Sequence, residues 1–159
     1  MRLKRIRRHA WDVLAAMDSE GRTVLDELYE LGGGYDKLRR AAESRQQGEP
    51  VRLTKTEKLV ERMLVHLYET APEAGPDNMG GNVKSLGDGI YEFRAGWGGR
   101  NPGTKIRVTF FRGRGRQVIV CVSAFSKTSR TPNWVIPEAQ EVKAEYFQMH
   151  AAGRIEIVD

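Results

Sequence analysis

The chain has one cysteine in 159 residues, Cys121. A lone thiol excludes an internal disulfide framework and fits a reducing, cytoplasmic setting. Long apolar runs are missing too: none approaches the roughly 18 residues that a membrane span needs, so no membrane partner is expected. The opening Met1-Arg2-Leu3-Lys4-Arg5-Ile6-Arg7-Arg8 is basic, but no hydrophobic signal core follows it, which argues against export. Histidine is scarce. His9, His66 and His150 lie far apart, without metal-ligand spacing, and each reads as a surface or helix histidine. There is no phosphate-binding glycine loop, no nucleophile-elbow pattern and no clustered acidic pair among the predicted strands. Two-metal nuclease chemistry is therefore not expected, and neither is any metal or cofactor.

The most informative absence is local. Between Phe93 and Pro137 there is no Asp or Glu, while the same window holds Arg94, Arg100, Lys105, Arg107, Arg112, Arg114, Arg116, Lys127 and Arg130. The whole chain carries 26 Lys and Arg against 21 Asp and Glu, a net +5 that solubility alone accounts for. Its distribution matters more. A sheet face and turns with so little internal neutralisation suit phosphate, because each neutralised phosphate also releases condensed counterions. Trp97, Phe111, Phe125 and Trp134 are interleaved with these cations and offer rings on which unpaired bases stack. Plainer readings stand beside this one. Arg112 to Arg116 also suits a solvated hairpin tip, Phe111 and Phe125 suit a core, and Arg94 and Arg107 suit solvated strand charges with only Glu92 nearby.

Periodicity predicts one domain over residues 1–159. Residues 1–9 read as a basic arm and Trp11-Asp12-Val13-Leu14 as a short first strand. Val24, Leu25, Leu28 and Leu31 recur at helical spacing until Gly32-Gly33-Gly34 stops them. Tyr35 to Ser44 reads as a second helix. Thr54 and Glu57 have capping-box spacing and open a third, which should end before Pro72. The period then changes to two. Ile90–Arg94 and Lys105–Phe110 alternate, Arg112 to Arg116 makes a turn, and Val118 to Phe125 is apolar on both faces, as a central strand should be. Pro137 suits the first position of a closing helix, with Ala139, Val142, Tyr146 and Met149 as its buried stripe. Residues 151–159 form a tail or a short strand. The fold class is α+β: a three-stranded antiparallel meander with its helices on one sheet face.

Several segments resemble the RelE/ParE toxin superfamily, in particular its HigB-like, phage-derived branch. Val83-Lys84-Ser85-Leu86-Gly87-Asp88-Gly89-Ile90-Tyr91-Glu92-Phe93-Arg94 is similar to that group's K-x-L-G-x-G-(hydrophobic)-Y-E-(hydrophobic)-R second strand. Lys105 to Phe111 resembles the strand after it, and Ala124 to Pro132 resembles F-x-K-K-T-x-K-T-P. The likeness spans about residues 10–147 and is most specific over 83–132. Four features depart from it: Lys127 lacks the adjacent lysine, Lys105 stands where an aromatic is common, residues 32–53 read as an insertion, and the glycine-rich loop before Lys105 is enlarged.

The resemblance implies a small RelE-like, microbial-ribonuclease-like fold, with an antiparallel sheet packed against N-terminal helices and a C-terminal helix. It also implies an mRNA endonuclease toxin that works on the ribosome without metal and is held by a cognate antitoxin, of helix-turn-helix type. Carried over, Arg94 and Arg107 match positions that contact the scissile phosphate, and Lys127 matches the basic position ending the fourth strand. Lys105, Arg112, Arg114, Arg116, Arg130 and Trp134 are the expected RNA-binding residues around this catalytic set. A non-enzymatic gyrase inhibitor of the ParE kind and a simple nucleic-acid-binding protein are the competing expectations.

Overall fold

The computed structural model describes residues 1–96, 105–127 and 130–159, with Lys127 described by its backbone alone. Its strands are β1 Arg2–Arg8, β2 Asp12–Ala16, β3 Val83–Gly87, β4 Ile90–Ala95, β5 Lys105–Arg112, β6 Gln117–Lys127 and β7 Glu156–Val158. Together they form one seven-stranded sheet in the order β3-β4-β5-β6-β2-β1-β7. The run over Val118 to Phe125 is the middle of the central strand, as its apolar residues on both faces predict.

The sheet is mixed, not purely antiparallel, because β2 runs parallel to β6 and β1 parallel to β7. The expected basic arm is strand β1. Its Leu3 and Ile6 are buried, while Lys4 and Arg5 between them are half-buried, as long cationic side chains are when their stems cover apolar surface and their heads stay near water. The C-terminal tail is β7, paired with Arg2, Leu3 and Lys4. The meander has four strands instead of three. Residues 83–94, which read as one strand, form a hairpin closed by Asp88 and Gly89, at φ 53° and 76°. Two positive φ values are what a two-residue type I′ turn requires.

Helices cover both sheet faces, which corrects the one-sided arrangement. On one face lie α1 Val24–Leu31, α2 Tyr35–Gln46, α3 Lys55–Val65 and the short α4 Ala71–Ala74. Val24, Leu28, Leu38, Val60, Met63 and Leu67 pack there against Val13, Phe93, Val108, Phe110 and Val120. On the other face α5, Val135–Ala151, packs Ala139 and Tyr146 against Leu14, Ile90, Phe111 and Ile119. Cys121 is fully buried in this second core, where desolvation pushes its thiol up to about 12 and leaves it a small hydrophobe.

Helix ends follow local chemistry. A complete capping box forms at Thr23 and Asp26, opening α1. At α3 only half of one forms: the Thr54 hydroxyl accepts from the Glu57 amide at 3.1 Å, while the Glu57 carboxylate pairs with Lys37 at 2.6 Å. The chain does not stop before Pro72. It widens into a π-helical stretch, His66–Thr70, and continues through α4. Proline cannot donate to the carbonyl four residues back, and that carbonyl, on Tyr68, accepts instead from Arg7 Nη1 at 2.9 Å. Gly75 follows at φ 82°, where a Cβ would lie 2.4 Å from the Trp11 indole nitrogen. Only glycine fits both that conformation and that space. Helix α5 starts at Val135, placing Pro137 two residues inside the first position expected for it.

Candidate nucleic-acid interface

Strand register brings part of the expected set together. Arg94 on β4 lies directly opposite Arg107 on β5, and Arg107 lies opposite Phe125 on β6. Two residues along the same strands, Lys105 lies opposite Lys127. Side chains alternate across a strand, so Lys105 and Arg107 share a face. That face is the one α5 covers further along. By register two successive rungs thus hold four basic residues, Lys127 by its backbone alone, and of these Arg94 and Arg107 are like charges directly opposite one another, which disfavours a sheet.

Arg107 is buried and is not a solvated strand charge. Its side chain is 1% exposed. One nitrogen, Nη1, donates to the carbonyls of Ala95 and Ile106, both at 2.9 Å. Its Nε lies 3.5 Å from the buried carboxylate of Glu92. Burial lowers the Arg107 pKa, against the pull of Glu92 and together with the repulsion from Arg94. The guanidinium fastens the ends of β4 and β5 and sets a positive charge just beneath the surface. Arg94 is partly exposed, which makes it the more accessible of the pair.

His66 is a component that sequence reasoning missed. It is 6% exposed, not a surface histidine, and its Nε2 lies 3.0 Å from the Arg94 carbonyl. A carbonyl only accepts, so Nε2 carries the proton. The π-helical stretch begins at this residue, and such widened turns are frequent at functional sites. Desolvation holds the His66 pKa below its ordinary value, against the bond to Arg94 and with repulsion from Arg62. The unfolded chain therefore takes up this proton first as pH falls. The His66 contribution to stability should be complete above about pH 6.5 and should decline below it. His66→Gln should remove that slope, read as the difference in urea midpoint between pH 7 and pH 5. An equally steep slope in the variant would put the titrating group elsewhere.

The aromatic residues divide. Trp134, at the N-terminal end of α5, is 46% exposed and meets the edge of Phe125 at 5.7 Å between ring centroids. Phe125 is 6% exposed and Phe111 wholly buried. Phe111 packs against Tyr146 and Phe147, so it is a core residue and not a base platform. Trp97, Arg100 and the Lys127 side chain lie outside the described residues.

The remaining cations do not form one group. Arg130 is exposed, four positions before Trp134. Arg112, Arg114 and Arg116 belong to the far end of the β5–β6 hairpin, about 25 Å from Lys105 at 3.3 Å per strand residue. Arg112 pairs with Asp77 and covers the Tyr91 ring, which removes it from the uncompensated set. Among the described residues no three His, Cys, Asp or Glu side chains gather into a metal-binding group. No helix of the described residues is long and apolar enough to cross a membrane.

These features define an α+β protein whose mixed sheet carries a cationic, tryptophan-edged end. The family described as Phage derived protein Gp49-like (DUF891) matches residues 52–144, more than half of the chain, and the protein belongs to it. The match takes in α3 and the whole four-stranded meander and runs into α5. No curated protein and no solved structure matches the chain.

Proposed function

We propose that this Gp49-like protein is the toxin of a toxin–antitoxin pair and cuts messenger RNA on the ribosome, as RelE- and HigB-like toxins do. The observation that carries this reading is the pair of like-charged rungs, Arg94 with Arg107 and Lys105 with Lys127. Such an arrangement costs the sheet stability and gains a preorganised field for a developing phosphorane. The exposed Trp134 ring beside it suits an unpaired base.

In this reading the 2′-hydroxyl of the substrate attacks the adjacent phosphorus and the bond to the 5′ oxygen breaks. Arg94 contacts the phosphate oxygens, and Lys127 assists the leaving oxygen or orients the backbone. Lys105, Arg130 and Trp134 hold the strand on either side. Arg107 acts through position and charge: it fixes the β4–β5 end and biases the site toward anions from beneath. The partners are the ribosome with its messenger, and a cognate antitoxin of helix-turn-helix type.

Expression from a tightly controlled promoter in bacteria tests the reading. Growth arrest with cuts confined to translated messengers is the expected outcome. Arrest with gyrase-dependent DNA breaks and intact messengers would point to a gyrase inhibitor. Neither effect would leave a plain nucleic-acid-binding protein.

A further inference from the structure

A second basic surface lies at the opposite end of the sheet, in a concavity of about 420 Å³ lined by Arg5, Arg8, His9, Arg114 and Arg116, with Asp12 as its one carboxylate. Asp12 is already committed. Arg5 donates to both of its oxygens, at 3.0 and 3.2 Å, and also pairs with Asp159. Arg8, Arg114 and Arg116 are exposed and form no ion pair with any described residue. Three uncompensated guanidinium groups therefore border the concavity.

The frame that carries them is rigid. Arg8, Asp12 and Gln117 occupy one row across β1, β2 and β6, which places Arg8 about 10 Å from the start of β6 at 4.8 Å per strand. The Asp12 amide donates to the Arg116 carbonyl at 2.9 Å. The Arg114 amide donates to the Tyr146 hydroxyl at 2.9 Å, and Tyr146 in turn donates to Gln117. A Cβ on Gly113 would lie 2.6 Å from that hydroxyl, so the turn is packed against α5. The Arg114 guanidinium lies over the Phe147 ring at 5.1 Å. Arginines on fixed strands and a pinned turn match the spacing of an anion row better than a disordered tail does.

We propose that this concavity is a docking site for the phosphodiester backbone of RNA, separate from the Arg94 and Arg107 end. No Trp, Tyr or Phe lines it, and its lining is dominated by guanidinium groups, so it grips backbone more than it reads bases. Such a site anchors the protein on structured RNA while the other end of the hairpin meets the strand to be cut. The inference needs no cleavage, so it stands or falls apart from the endonuclease reading.

The experiment is fluorescence anisotropy of a labelled RNA hairpin against salt, for wild type, Arg8→Ala/Arg116→Ala and Arg39→Ala/Arg40→Ala. The last pair removes the same charge from α2, and melting curves confirm folding of each protein. The Arg8/Arg116 variant should bind at least tenfold more weakly at 100 mM salt, with a log–log salt slope shallower by about two. The α2 variant should bind like wild type. An unchanged slope in Arg8→Ala/Arg116→Ala, or an equal loss in the α2 variant, would overturn the proposal. So would displacement of the RNA by poly-glutamate as readily as by unlabelled hairpin, because the site would then take acidic polypeptide.

Discussion

Arg107→Ala should cost about 3–5 kcal/mol of stability, the usual penalty for breaking a buried ion pair from one side. The guanidinium is enclosed, two backbone carbonyls depend on it, and the Glu92 carboxylate lies 3.5 Å away. Removing it takes the donor from both carbonyls and a cation from the neighbourhood of a buried anion. Against a total stability of about 5–15 kcal/mol for a domain, that loss is large. Urea denaturation would show it as a fall in midpoint. The double variant Glu92→Gln/Arg107→Met should recover much of the loss, since well-packed neutral groups often replace a buried pair without penalty. A loss below about 1 kcal/mol in the single variant would mean that the guanidinium is not the fastening described here.

Arg94→Ala should behave in the opposite way, with folding kept and cleavage lost. Its side chain is partly exposed, and its tie to His66 runs through the main chain, which alanine preserves. Removing it also relieves the repulsion with Arg107. Stability should therefore change by less than about 1 kcal/mol, while cleavage falls about 100- to 1,000-fold, the range for losing one donor to a developing anion. Arg94→Lys should lie between, keeping the charge but not the forked geometry. Single-turnover cleavage beside a melting curve separates the two effects.

The contrast between these two arginines was only half legible in the sequence. The sequence named Glu92 as the only carboxylate near Arg94 and Arg107, and the contact between Glu92 and Arg107 bears that out, while register sets Arg94 directly opposite Arg107. Burial was not legible, because a strand pattern tells which face a side chain takes but not what covers that face. The apolar run through β6 announced a central strand for the same local reason that it succeeded: both faces are covered. By contrast, β1 was hidden by its own arginines, which disguise the buried Leu3 and Ile6. The two-residue turn at Asp88-Gly89 was overlooked inside a motif that reads as continuous. The cations of residues 94–130 looked like one patch because they are close in sequence, yet a long hairpin carries its middle far from its ends. Arg5 and Arg8 join Arg114 and Arg116 only through the parallel pairing of β2 with β6, a long-range contact that no local pattern encodes.

The most direct test of the account is cleavage of a translated messenger by the purified protein, with and without ribosomes, for wild type beside Arg94→Ala. Cuts that require both the ribosome and Arg94 are the predicted result. An intact messenger with the wild-type protein, or equal cutting by the variant, would contradict it.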